Sequence, residues 1–163
     1  MSLLDSNYAA ALTTAAAALA IKITLTHVLT GRERLITLNY AQAADKQNRL
    51  LPAFRAMFLG VPGSGLGGKE FIGRAERVGK NSAENEPFFL LLALTAGLSG
   101  SIDTALGITL IQTYTVARIA HAVVYLAGDF PLLACFRPVA FGIGAFATLG
   151  MAAQVLGVKS FST

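Results

Sequence analysis

Four apolar segments divide the chain, and their length is the feature that most restricts its fold. They cover about residues 8 to 30, about 86 to 100 with a polar helical lead-in from about 71, about 104 to 127, and about 134 to 157. Most are too long for core strands, whereas a helix that spans a bilayer needs about 20 residues. Hydrophobic residues make up 54% of the chain and charged residues 13%, whereas soluble domains carry about 25% charged residues. The pattern predicts an all-α integral membrane four-helix bundle, formed by a single domain over residues 1–163.

The basic residues cluster on one side of these segments. Ten of the thirteen Lys and Arg residues lie in or beside the first and third connections: Arg32, Arg34, Lys46, Arg49, Arg55, Lys69, Arg74, Arg77, Lys80 and Arg137. Because basic residues favour the cytosolic side of a membrane, we predict four spans with both termini on the non-cytosolic side. The first connection is a long hydrophilic loop over roughly residues 36 to 70. Inside the second segment, Pro87 removes a backbone hydrogen bond and is expected to weaken or kink the helix.

Several classes of function are disfavoured. The single cysteine, Cys135, excludes a CxxC redox pair and a cysteine-based zinc site, and we expect no metal. The net charge is +4, but the basic residues are not interleaved with exposed aromatic residues, so we expect no nucleic-acid partner. The stretch GSGLGGKE, residues 63–70, matches part of a phosphate-binding P-loop. Glu70 stands where Ser or Thr would ligate magnesium, and we interpret this stretch as a flexible cytosolic loop.

The polar lead-in to the second segment carries a stripe of charge. At 100° per residue, Arg74, Arg77, Asn81 and Glu84 fall within an arc of about 80° on a helix. Ionisable groups at membrane depth usually face the interior of a bundle or a water-filled cavity. The stripe predicts one wall of a polar, cationic pocket, although Arg77, Asn81 and Glu84 could also form a structural network alone.

The third segment carries a matching polar face. Arg118, His121 and Tyr125 lie within an arc of about 60° on a helix, and Arg137 opens the fourth segment. Together with the stripe, this face predicts a pocket between helices toward the cytosolic side. Two residues have a simpler alternative, because Arg74 and Lys80 can extend to lipid headgroups. No site role is predicted for Lys22, His27 and Cys135, although Lys22 requires a partner inside the membrane.

Three blocks carry a family resemblance. They are RAERVGKNSAENEPF at residues 74–88, ARIAHAVVYL at residues 117–126, and IKITLTHVLTGRERL at residues 21–35. The first block resembles a signature in the second helix of the MAPEG family, the membrane-associated proteins of eicosanoid and glutathione metabolism. That signature has the pattern RxxxNxxEN and is followed by Pro. The others are similar to that family's third helix and to the end of its first helix. The likeness is strongest to the microsomal glutathione transferase and prostaglandin E synthase branch.

The resemblance implies a fold, a ligand and an activity. It implies a homotrimer of four-helix bundles in the lipid bilayer, with glutathione as cosubstrate bound between neighbouring subunits near the cytosolic face. It implies a glutathione transferase that acts on hydrophobic electrophiles, with glutathione-dependent peroxidase activity as a further expectation. It also implies that glutathione is contacted by Arg34, Arg77, Lys80, Asn81, Glu84, His121, Tyr125 and Arg137.

The sequence departs from the family pattern at four positions. Gly79 stands where the family usually has His, Lys80 where Arg is common, Pro138 where the prostaglandin synthase has Ser, and Phe141 where it has Tyr. The missing hydroxyls argue against prostaglandin isomerisation. Two alternatives stay open, namely a glutathione-dependent isomerase of the prostaglandin or eicosanoid type and a non-catalytic membrane protein with the MAPEG fold.

A small exporter of cationic drugs is a rival from another class. It would need an acidic residue inside the first span, where this chain has Lys22 and His27. The sequence therefore disfavours an exporter.

The residue types suit the chemistry of glutathione, which carries two carboxylates, an ammonium and a thiol. Arg34, Arg77 and Lys80 suit the carboxylates, because charge-assisted hydrogen bonds in a partly dehydrated site are strong. Glu84 suits the ammonium, with Asn81 beside it. These five residues are therefore predicted to bind glutathione.

Catalysis requires the thiolate of glutathione rather than the thiol. A cysteine-like thiol with a pKa near 8.5 is only about 3% ionised at pH 7. Arg137 is the candidate for lowering that pKa. Tyr125 can donate a hydrogen bond near the sulfur, and a purely positional role for Tyr125 is the alternative. The alternative for Arg137 is an anchor that holds the start of the fourth segment to headgroups.

Overall fold

The computed structural model of the protein describes residues 4–37, 68–128 and 135–157, and these ranges form four helices. Helix α1 runs over Ser6–Thr37, α2 over Gly68–Ser99, α3 over Thr104–Leu126 and α4 over Phe136–Val155. No strand occurs within the described ranges. The predicted all-α four-helix bundle is confirmed.

The predicted segments agree best with the observed helices in the C-terminal half of the chain. Helices α3 and α4 each lie within about two residues of the predicted segments, whereas α1 continues several residues beyond the predicted end at about 30. The charged lead-in and the apolar part of the second segment form one helix that passes unbroken through Pro87. The predicted loop over 36 to 70 lies mostly outside the described residues. Its last three residues, from the stretch that resembles a P-loop, already belong to α2.

Acidic residues explain where three of the helices begin. Asp5 accepts hydrogen bonds from the backbone N–H groups of Asn7 and Tyr8 at 2.9 and 3.1 Å, and thereby caps α1. Asp103 caps α3 in the same way through the Leu106 N–H at 3.0 Å. At the start of α2, the Gly68 N–H donates to the carboxylate of Glu33 at 3.3 Å. That contact ties the end of α1 to the positive end of the α2 dipole.

Aromatic residues form part of the hydrophobic core between the helices. Helix α1 packs against α2 and α3, and α4 packs against α3 and α2. The Phe89 and Tyr114 rings stack with centroids 3.7 Å apart. The Tyr8 hydroxyl donates to the Ala93 carbonyl at 2.6 Å, and Gly97 leaves room for its ring, since a Cβ there would lie 2.6 Å from it. Tyr8, Phe89 and Tyr114 thereby join α1, α2 and α3 in one hydrophobic core.

Large apolar side chains cover much of the outside of the bundle. They include Ile21, Leu25, Val28, Phe88, Leu91, Val116, Val123, Phe146 and Leu149. Among the described residues, two helical segments are long and apolar enough to cross a membrane, Ser6–Arg34 and Phe136–Val155. The exterior therefore fits a lipid environment, while the number of spans and their orientation remain predictions.

Candidate functional site

A polar cavity of about 290 Å³ lies between α2 and α3, and we refer to it as the α2–α3 cavity. It lies at the end of the bundle where α3 ends and α4 begins. Four residues of α2 and two of α3 line it: Arg77, Lys80, Asn81, Glu84, His121 and Tyr125. All six are predicted site residues. The polar faces of the two helices therefore meet across one cavity.

Arg137 adjoins this cavity through Tyr125. Its guanidinium carbon lies 4.8 Å from the centroid of the Tyr125 ring, and its Nη2 donates to the Gly128 carbonyl at 2.7 Å. The guanidinium carbon of Arg77 lies 5.8 Å from the same centroid, and the His121 ring lies 5.4 Å away. Two guanidinium groups thus contact one aromatic ring. Seven of the eight predicted site residues share this neighbourhood.

Arg34 is the predicted site residue that lies apart from the others. It lines a second cavity of about 390 Å³ between α1 and α2, together with His27, Thr30, Gly31, Ala75, Glu76, Gly79 and Lys80. Its guanidinium forms an ion pair with Glu76. Lys80 lines both cavities, so the two adjoin at this residue. One chain therefore places Arg34 on the α1 side of α2 and Arg137 on the α3 side.

The charges of the α2–α3 cavity are only weakly compensated by one another. Lys80 and Glu84 lie 3.9 Å apart, with side chains 79% and 58% exposed. An exposed pair of this kind contributes little to stability. Arg77 is also exposed, whereas His121 is buried and Asn81 is half-buried. The cavity therefore has a charged rim over a less accessible floor.

Beneath the cavity lies a group of charged and polar side chains that sequence reasoning did not assemble. It consists of Lys22, Ser82, Glu86 and Arg118, and we call it the buried network. Glu86 forms an ion pair with Lys22, and its Oε1 lies 3.7 Å from Arg118 Nε. Lys22 also donates to the Ser82 hydroxyl at 2.9 Å. Glu86 is the partner that was expected for Lys22, and the signal for it was an acidic residue inside the second apolar segment.

Arg118 shares a helix face with His121 and Tyr125, as predicted, but it occupies a different environment. It is 3% exposed and is not one of the residues that line the cavity. Its Nη2 donates to the side-chain oxygen of Asn81 and, at 3.2 Å, to the Asn81 carbonyl. Arg118 therefore reaches the cavity through Asn81.

Arg74 and Lys80, for which contact with lipid headgroups was the alternative to a site role, differ in exposure. Arg74 is buried, whereas the Lys80 side chain is 79% exposed.

Gly79 leaves room for a side chain of helix α1, because a Cβ at this position would lie 3.3 Å from His27 Nε2. Among the described residues, no three His, Cys, Asp or Glu side chains are grouped closely enough to hold a metal ion.

These observations first define a class of protein. A helical bundle with an apolar exterior and with ionisable groups that face a cavity between its helices is typical of a membrane protein.

The particular family follows from comparison with known proteins. The chain belongs to the MAPEG family, whose family model matches residues 12–157. That range contains all eight predicted site residues. A search of curated proteins found no match to the chain. Membership of this family, together with the apolar helices, identifies a membrane protein with a glutathione-related transferase, isomerase or non-catalytic function.

Proposed function

We propose that the protein is a membrane-bound glutathione transferase of the microsomal glutathione transferase and prostaglandin E synthase branch. The observation that carries this proposal is the α2–α3 cavity. Its lining supplies two cations, one carboxylate, an amide, an imidazole and a phenol around about 290 Å³, with Arg137 beside the phenol. This set of groups matches the functional groups of glutathione.

The binding roles follow from charge. Arg77 and Lys80 bind carboxylates of glutathione, and Glu84 binds its ammonium. Asn81 contributes hydrogen bonds from the floor of the cavity. Because Lys80 and Glu84 are exposed and 3.9 Å apart, both can exchange their mutual contact for a ligand at little cost. His121 contributes a hydrogen-bonding wall.

The thiol of glutathione is activated by positive charge rather than by a protein nucleophile. A guanidinium within a few ångströms of the sulfur stabilises the thiolate and lowers the thiol pKa. Arg137 is the candidate for this role, because it lies against Tyr125 at the edge of the cavity. The Tyr125 hydroxyl donates a hydrogen bond to the thiolate and orients it.

The reaction is a substitution or an addition at carbon. The thiol proton passes to solvent, and the thiolate sulfur donates its electron pair to an electrophilic carbon. In a substitution, a carbon–sulfur bond forms while the leaving group departs with its bonding electrons. In an addition, the carbon–sulfur bond forms while the π electrons of the electrophile move to the neighbouring atoms, which then take up a proton from solvent. A hydrophobic electrophile enters from the bilayer, since the outside of the bundle is apolar. With a lipid hydroperoxide, two glutathione molecules reduce the peroxide to an alcohol and water and form glutathione disulfide.

The position of Arg34 supports a homotrimer with sites between subunits. Arg34 lies in the cavity between α1 and α2, on the other side of α2 from Tyr125 and Arg137. A neighbouring copy that presents its α1 side to this α2–α3 cavity adds its own Arg34 to the site. The mass of the particle in mild detergent tests this arrangement, and a monomer or dimer that still binds glutathione would exclude it.

The proposed topology has four spans with the site toward the cytosol. The site residues come from the end of α1, the first half of α2, the end of α3 and the start of α4. These parts adjoin the first and third connections, where most basic residues lie.

One observation favours transfer over prostaglandin isomerisation. Phe141, which stands where the resemblance implies Tyr, lies 6.1 Å from the His121 ring and 5.9 Å from the Arg118 guanidinium carbon. A phenyl ring at this position offers no hydroxyl to the reacting groups. A transferase needs no second hydroxyl, because the thiolate itself is the nucleophile.

Conjugation of a chloronitrobenzene by the purified protein in detergent, with and without glutathione, tests the proposal. Product formation above the uncatalysed rate is expected. A protein that binds glutathione and shows its ultraviolet thiolate band without turnover would be a non-catalytic binder. No conjugation and no binding of glutathione would overturn the proposed function.

A further inference from the structure

The buried network contains one residue whose hydrogen bonds reach a side chain of the α2–α3 cavity. Arg118 Nη2 donates to Asn81 Oδ1 and, at 3.2 Å, to the Asn81 carbonyl oxygen. We propose that Arg118 is a positioning residue, which holds the Asn81 amide so that its NH₂ group faces the cavity as a hydrogen-bond donor. This inference rests on the proposed function and specifies which groups of the ligand the cavity accepts.

The hydrogen-bonding groups of Arg118 and Asn81 allow only one orientation of the Asn81 amide. A guanidinium has five N–H donors and no acceptor, whereas an amide has an acceptor oxygen and a donor nitrogen. Arg118 can therefore face only the oxygen of the Asn81 amide. The nitrogen is directed away from Arg118, and Asn81 lines the cavity. An asparagine without such a neighbour could turn either group to a ligand.

Arg118 is itself held on several sides. Glu86 Oε1 lies 3.7 Å from its Nε, and the centroids of the Tyr114 and Phe141 rings each lie 5.9 Å from its guanidinium carbon. Gly144 of α4 allows close packing, since a Cβ there would lie 3.3 Å from Arg118 Cδ. Because residues of α2, α3 and α4 hold the Arg118 side chain in place, Arg118 can in turn hold the Asn81 amide in one orientation.

The charge balance explains why Arg118 needs the oxygens of Asn81. The buried network holds two cations, Lys22 and Arg118, and one anion, Glu86, which both cations share. A buried N–H without an acceptor is unfavourable, especially at membrane depth. The two oxygens of Asn81 supply acceptors that Glu86 does not. Turning the amide would replace one of them with a donor.

The orientation of the Asn81 amide restricts which ligand group can bind beside it. Asn81 presents a donor and Glu84, on the next turn of α2, presents an acceptor to the same cavity. The ligand group beside Asn81 must therefore be an acceptor, such as a carboxylate or a peptide carbonyl of glutathione. Arg118 imposes this rule without contacting the ligand.

Nuclear magnetic resonance of protein labelled with ¹⁵N at asparagine tests the orientation without any ligand. The side-chain amide of Asn81 is identified by its loss in Asn81→Ala. Arg118→Met should shift these resonances and speed their exchange with water. Lys22→Met is the matched control, because it removes the other cation of Glu86 and leaves the contact between Arg118 and Asn81. An Asn81 amide signal that Arg118→Met does not move would overturn the proposal.

Arg118→Met is expected to fold, because it leaves Lys22 and Glu86 as a balanced pair. Thermal unfolding and elution volume in detergent check this. If it does not fold, Arg118→Lys serves instead, since an ammonium retains the charge but loses the fork of donors that holds both oxygens. A shift of the Asn81 signal is then expected in Arg118→Lys, and an unmoved signal would count against the proposal.

A double-mutant cycle on glutathione affinity tests the functional consequence. Asn81→Ala and Arg118→Met should each weaken binding about tenfold, through the loss of a positioned hydrogen bond. The double variant should bind no more weakly than Asn81→Ala alone. An additive loss of about a hundredfold would mean that Arg118 acts independently of Asn81, and would overturn the inference. If the wild type does not bind glutathione, the proposed function fails, while the resonance experiment still decides the positioning role.

Discussion

The α2–α3 cavity and the buried network both use a glutamate of α2, two residues apart, yet their environments are opposite. Glu86 is 6% exposed, is paired with Lys22 and lies 3.7 Å from Arg118. The Glu84 side chain is 58% exposed, and its contact with Lys80 measures 3.9 Å. Side chains two residues apart on a helix point in directions that differ by about 200°, so the two carboxylates face different neighbours. The first is neutralised by its own chain, and the second is available to a ligand.

The comparison shows that two carboxylates on one helix can differ completely in exposure and pairing, so the presence of a charge alone does not indicate its role. Glu86 ties α2 to α1 and α3, as a structural residue does. Glu84 lies beside exposed cations at a cavity and has no comparable role in packing. Changes in the network should therefore affect stability first, and changes in the cavity should affect binding first.

The largest effect is expected from Glu86→Gln. This change leaves Lys22 and Arg118 buried without a counter-charge, and removing one member of a buried ion pair costs about 3–5 kcal/mol. Thermal unfolding in detergent should show a large loss of stability. Glu84→Gln is the matched control, since it makes the same chemical change on an exposed side chain. Equal stability of the two variants would remove the distinction between the two regions.

The next effect is expected from the same Glu84→Gln variant in glutathione binding. It removes the proposed counter-charge for the ammonium and touches nothing near the sulfur. Affinity should fall about tenfold, or about 1.4 kcal/mol, since water can enter the exposed rim. The turnover of bound glutathione should change less than the affinity does. An unchanged affinity in a calorimetric titration would exclude Glu84 from the site.

A smaller effect is expected from Arg137→Leu, and it concerns pH. A positive charge near the thiol lowers the thiol pKa, so its removal should raise the pH at which conjugation is half-maximal by roughly one unit or more. Glutathione should still bind through Arg77, Asn81 and Glu84. The measurement is the pH profile of conjugation at saturating glutathione, together with thiolate absorbance at equilibrium. An unmoved midpoint with normal turnover would assign the activation to another cation, with Arg34 as the first candidate.

The smallest effect on stability is expected from Lys80→Met. The exposed pair with Glu84 should contribute less than about 0.5 kcal/mol, so thermal unfolding should hardly change. Glutathione affinity should nevertheless fall several-fold, because a cation for a carboxylate is lost. A stability loss near that of Glu86→Gln would show that the cavity charges are structural after all.

Much of the fold could be predicted, because the lengths of apolar segments depend on local sequence. The third and fourth segments predicted α3 and α4 closely, and helical periodicity brought Arg77, Asn81 and Glu84 to one face of α2. The same periodicity placed His121 and Tyr125 on one face of α3. These two faces do meet across a cavity.

The amino-acid sequence by itself determined the four helices, their apolar exterior and the polar faces of α2 and α3, because each depends on residues a few positions apart. Only the tertiary structure decided that Arg34 lies apart from Arg137 and that Arg118 lies beneath the cavity. It also paired Lys22 with Glu86, which are 64 positions apart in the chain. The physical reason is that burial and pairing depend on which helices pack together and on how each is rotated about its axis. A helical wheel gives the relative directions of side chains on one helix but does not give the neighbour that each one meets.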